Sequence, residues 1–158
     1  MNQSEYIDTP FPVANTPSNP QGGDPMPVTT TIGEQVLEAV VAGPDGANRL
    51  FTVTGAANVQ ILASGDPDPV NPTWTFLVGP TLTRGQFYRA IASASVASQG
   101  VSKRGVPSDY TVQISSVEAD WDDESERVEV RVEIFLSSNR ATVDINQLRY
   151  WVTILAQI

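Results

Sequence analysis

Residues 120–126 hold five carboxylates, Asp120, Asp122, Asp123, Glu124 and Glu126, and the stretch from Asp109 to Glu133 holds nine acids against Arg127 and Arg131. Two chemistries use such a cluster. Calcium binds several oxygens from a flexible loop, but the D-x-[DN]-x-[DN]-G spacing is missing and no glycine supplies its tight turn. Glycoside hydrolysis needs two opposed carboxyls in a cleft, one kept neutral by burial. Here each acid falls in a turn, at an outward strand position or in the N-terminal segment. Exposure at a hairpin tip relieves mutual repulsion, so a solvated turn is the expected role of residues 120–126.

Histidine and cysteine are absent. That removes the commonest general base, the imidazole and thiolate metal ligands, and any disulfide. The expectation is a protein that is not an enzyme, with no catalytic residue, cofactor or metal.

Aromatic side chains offer a different chemistry, stacking against a sugar or a partner. Trp74 alternates with Phe76 and Val78 and reads as interior. Tyr150 and Trp151 are adjacent, so a strand sends their rings to opposite faces. One ring can pack inside; the other needs a second buried surface, which a neighbouring subunit can supply. Trp121, beside the acidic tip, is the ring expected to stand exposed. A carbohydrate-binding or adhesive module is therefore an alternative reading.

The formal net charge is −9 and the single lysine is Lys103. Lys103-Arg104 is too small a cluster for nucleic acid, whose binding draws on many clustered cations. The same deficit argues against an anionic membrane surface. In a homo-oligomer this pair can receive the acidic tip or an acidic segment of an adjacent copy.

Turn signals and alternation define the elements that carry these groups. Glu34–Val41 and Leu50–Thr54 flank Gly43-Pro44-Asp45-Gly46, strong turn chemistry, and read as a hairpin; a short helix over Glu34–Ala42 is the alternative. Val59–Ala63 and Thr73–Val78 follow, separated by Gly65-Asp66-Pro67-Asp68-Pro69. Gln86–Val96 reads as a long strand with Tyr88, Ala90, Ala92 and Ala94 on one face. Tyr110–Ser115 and Val128–Leu136 form a hairpin with one dry face and an outward ladder of Glu129, Arg131 and Glu133. Val143 and Ile145 start another strand, and Tyr150–Ile158 is the last. The expectation is an all-β chain of about eight strands, an antiparallel β-sandwich over residues 28–158, with a barrel as the alternative.

Residues 1–27 differ. They contain six of the twelve prolines, and no lysine or arginine occurs before Arg49. Proline fixes φ and deletes backbone donors, so this arm reads as extended, with polyproline II character. Tyr6, Ile7, Phe11, Val13 and Met26 are too sparse for a core but suited to seats on a neighbour. No signal-peptide pattern and no long apolar run occurs, so cytoplasmic synthesis is expected.

These features suggest a structural protein of an assembly, attached through its arm to other copies of itself or to a capsid, neck or tail protein of a bacteriophage virion. Tyr6, Ile7, Phe11, Val13, Met26, Lys103, Arg104 and Trp121 are the expected partner-binding residues. An extracellular filament subunit that exchanges its arm is the second alternative.

Overall fold

Alternating apolar side chains make strands, and here nearly every alternating run does so. The structure, a computed structural model, describes residues 29–43, 46–64, 69–103, 109–139 and 141–158. Expectations placed on the arm, on Arg104 and on the turns at 44–45 and 65–68 lie outside the described residues. The described chain is all-β and antiparallel, with no helix. Its strands are β1 (Thr31–Gly43), β2 (Gly46–Ser64), β3 (Thr73–Val78), β4 (Phe87–Lys103), β5 (Asp109–Asp122), β6 (Arg127–Asn139) and β7 (Ala141–Gln157). They build a four-stranded sheet in the order β1-β2-β7-β4 and a three-stranded sheet in the order β3-β6-β5.

Several expected short strands join into longer ones. Leu50–Thr54 and Val59–Ala63 are parts of β2, and the segments at Val143 and Tyr150 are parts of β7. Gly55, between the first two, does not end the strand because it makes room for a ring. Opposite it lies Tyr150, and a Cβ at Gly55 would stand 2.7 Å from the Tyr150 Cζ. The Asn58/Ile61 region is a register shift, which absorbs the change of pattern without a turn. Glu34–Ala42 is strand, not helix: its backbone pairs with β2 from Gln35↔Thr54 to Ala42↔Ala47.

The inner faces of the two sheets share one apolar core. Phe51 and Val53 from β2, Phe76 and Val78 from β3, Val128, Val130, Val132, Ile134 and Leu136 from β6, and Tyr150, Val152 and Ile154 from β7 are buried in it. Ala90, Ala92 and Ala94 of β4 pack against this cluster, as their small size permits. Tyr88 does not join them. A register shift between Phe87 and Arg89 turns Phe87 inward and leaves Tyr88 67% exposed. Full burial of each large apolar side chain contributes about 1.5–3 kcal/mol.

Candidate interaction surface

β1 is the outermost strand of its sheet, so something must fix it. Gly33, at φ 62°, opens a β-bulge between Ile32 and Gln35. The extra residue sends Glu34 to the inner face, where its carboxylate joins three elements. Oε1 accepts from Arg127 Nη2 on β6 at 3.1 Å and from the Gly79 amide at 3.3 Å. Oε2 accepts from Tyr150 Oη on β7 at 3.1 Å. Burial and the Glu34 charge push the Tyr150 hydroxyl pKa well above its usual value. Further along, the Arg49 guanidinium donates from Nε to Glu38 Oε1 at 2.6 Å and lies over the Phe51 ring. That bond holds the Glu38 carboxyl below the usual carboxylate range.

Held in this way, β1 completes a sheet whose outer face can be read row by row from the register. Four rows cross all four strands: Ile32–Ala56–Arg149–Ser95, Gln35–Thr54–Trp151–Ser93, Leu37–Thr52–Thr153–Ile91, and Ala39–Leu50–Leu155–Arg89. Eight of these sixteen positions are aliphatic or aromatic, and none is a carboxylate. Leu37 is 71% exposed, Trp151 61%, Ile91 58% and Ile32 46%. Rows about 7 Å apart over strands about 4.8 Å apart make a field of roughly 15 by 20 Å before side chains are added. A monomeric protein seldom exposes contiguous apolar surface beyond a few hundred Å².

The only charges in this field are Arg89 and Arg149, both exposed, and neither has an ion-pair partner among the described residues. They bracket Trp151 and Leu155. The six residue steps along β7 from Arg149 to Leu155, the partner of Arg89, span about 20 Å. The opposite sheet contrasts sharply. Its outer face carries Glu118, Asp120, Glu129, Arg131 and Glu133 in cross-strand register.

β1 also overhangs the smaller sheet. Val36 and Val40 point to the inner side, yet they are 43% and 66% exposed. Among the described residues no strand pairs with the second edge of β1. The surface therefore combines a half-apolar face free of carboxylates in its four rows with an edge that no described strand covers.

The residues expected from the sequence to meet partners lie elsewhere or outside the described residues. Tyr6, Ile7, Phe11, Val13, Met26 and Arg104 are not described. Lys103 ends β4 opposite Ala141. Trp121 is half-buried: its indole N–H donates to Leu82 O at 2.8 Å and the Arg84 guanidinium lies 5.4 Å from its ring. Of the adjacent pair, Trp151 is the exposed ring and Tyr150 is inside, at 1% exposure. At the acidic tip, Asp122 Oδ2 accepts from the Ser125 amide at 2.8 Å, and bonds to Ser125 hold its carboxyl below the usual value. Among the described residues no group of three carboxylates is placed to hold a metal ion.

Arg89, Arg149, Leu37 and Ile91 escaped the sequence reading. Each sits in an unremarkable alternating strand, and the field exists only once four strands are set in register. Comparisons with protein-family models, with curated proteins and with solved structures return no match, so the surface is interpreted from its own chemistry.

Proposed function

We propose that this chain is a non-enzymatic structural subunit of a macromolecular assembly, most simply a bacteriophage virion component such as a capsid decoration, neck or tail protein. In this reading residues 28–158 form a β-sandwich and residues 1–27 an extended arm that engages a neighbour. One observation carries it: the outer face of β1-β2-β7-β4 presents Leu37, Ile91 and Trp151 to solvent without a carboxylate among them. A protein with 18 acidic residues has ample charge for solubility, yet these four rows receive none of its acids. Such segregation suits a surface covered in the functional state. The virion assignment rests on small size, acidity, the lack of cysteine and histidine, and the proline-rich arm.

Sedimentation velocity of the full chain against its Trp151→Ser variant tests the assembly reading. Concentration-dependent association that is lost in the variant supports it. A chain that stays monomeric at hundreds of micromolar, and binds glycans through Trp151, favours the carbohydrate module. The uncovered edge of β1 favours a second assembly reading, a filament subunit that accepts a strand from the next copy. Electron microscopy separates these outcomes, since strand addition makes open fibres and attachment to a shell does not.

A further inference from the structure

The remaining question is what covers the apolar face, and two properties of the face restrict the answer. It offers side chains, not backbone hydrogen bonds, and the only charges in its four rows are positive. A sheet edge would discriminate against proline, because each proline lacks a ladder donor. A sheet face does not. The cover should therefore be an extended, acidic segment with scattered apolar groups.

Residues 1–27 of this chain match that description. They hold Glu5, Asp8 and Asp24 with no lysine or arginine, six prolines, and Tyr6, Ile7, Phe11, Val13 and Met26. Extended, 27 residues reach about 90 Å, several times the roughly 20 Å between the rows of Arg149 and Arg89. Proline also lowers the entropy lost when a segment is laid down extended.

The point where the arm enters the described fold favours a neighbour's arm over the chain's own. Thr29 N donates to Thr75 O on β3, and Thr30 O accepts from Asn58 N on β2. The chain thus runs from the free edge of β3 onto β2 as it leads into β1. Arg149 and Arg89 lie on β7 and β4, the far half of the other sheet, facing away. To reach them, a chain's own arm must round the β1-β2 edge of the sheet.

We infer that the acidic segment 1–27 of a second copy docks on the outer face of β1-β2-β7-β4, its carboxylates near Arg89 and Arg149 and its apolar groups on Leu37, Ile91 and Trp151. This rests on the assembly reading above. It makes the contact heterologous, arm to face, so each copy can both give and receive.

A complementation experiment with full-length chains tests it. One variant reverses the arm (Glu5→Lys, Asp8→Lys, Asp24→Lys) and the other reverses the face (Arg89→Glu, Arg149→Glu). Each alone should associate at least about 10-fold more weakly than the wild type at low salt, and the loss should shrink as salt rises. Mixing the two should restore association, because each arm then finds a face of opposite charge. Variants that associate like the wild type, a mixture that recovers nothing, or a wild type that is monomeric because its arm stays on its own face would each overturn the inference. If Trp151→Ser abolishes association while both charge variants retain it, the face is an interface with another occupant; the arm proposal falls and the assembly reading stands. If Trp151→Ser also leaves association unchanged, both fall.

Discussion

Replacing Glu34 by alanine should detach β1 from the rest of the molecule, and the geometry gives the size of the effect. The Glu34 side chain is 20% exposed and that of Arg127 32%. A charge-assisted hydrogen bond contributes about 1.5–3 kcal/mol, and a buried hydroxyl left unsatisfied costs about 1–3. Both figures need discounting here. Arg127 remains one-third wet and keeps its 2.9 Å bond to Gly79 O, so water replaces part of what it loses. The Tyr150 hydroxyl retains a contact with Thr31. A loss of about 2–3 kcal/mol is expected, which at a urea m-value of about 2 kcal/mol/M shifts the midpoint by roughly 1–1.5 M. Glu34→Gln keeps the shape and one acceptor and should cost about 1 kcal/mol.

The assay is urea unfolding followed by tryptophan fluorescence, extended to a double-mutant cycle with Tyr150→Phe. The cycle should give a coupling energy of about 1 kcal/mol. A Glu34→Ala cost under about 0.5 kcal/mol, or strict additivity with Tyr150→Phe, would refute the claim that this carboxylate pins the edge strand. Amide exchange should report the same event locally: protection falls in β1 before it falls in β6. Because β1 carries Leu37 and Ile32, loosening it should also weaken association.

Three further outcomes follow from the same contacts. Gly55→Ala should destabilise by about 1–3 kcal/mol, since the new Cβ overlaps the Tyr150 ring; an unchanged unfolding midpoint would mean the ring has room to move. The raised Tyr150 pKa sets an alkaline limit. The folded state holds this proton more tightly than the unfolded chain, so the stabilisation is complete below about pH 10 and is lost as pH rises beyond it. Tyr150→Phe should flatten that part of the pH profile in thermal melts; an unaltered slope would assign the alkaline loss to other groups. Removing residues 1–27 should leave the far-ultraviolet circular dichroism of an antiparallel β protein, because the core cluster lies entirely within β2–β7 and the β3–β4 connection; loss of that spectrum would show that the arm belongs to the core.

The strands were legible where period-two alternation was unbroken. Val128–Leu136 and Tyr150–Ala156 show their buried faces in the sequence because every second residue is apolar. Tyr150 and Trp151 were legible as a pair with opposite fates, since adjacent strand residues cannot share a face. Strand length was less legible. Gly55 looks like punctuation, but it serves the Tyr150 ring across the pair, a tertiary cause invisible locally. Tyr88 was misread for a related reason. One inserted residue at the start of β4 flips the phase of everything before it. Trp121 was assigned exposure from its acidic neighbours; its ring is instead held by Leu82 and Arg84 from the β3–β4 connection, contacts that sequence separation conceals. The apolar field is the extreme case. Leu37, Ile91 and Trp151 lie far apart along the chain, and only register makes them neighbours.

The central question is whether the outer face of β1-β2-β7-β4 is covered by protein in the working state. Its most direct test is the sedimentation mass of the full-length chain over a wide concentration range, beside Trp151→Ser and Leu37→Ser. Truncating a central aromatic anchor typically costs 2 kcal/mol or more of binding, roughly a 30-fold loss. The expected result is a wild type that associates and two folded variants that sediment as monomers at the same concentration. Identical sedimentation of all three proteins would contradict it.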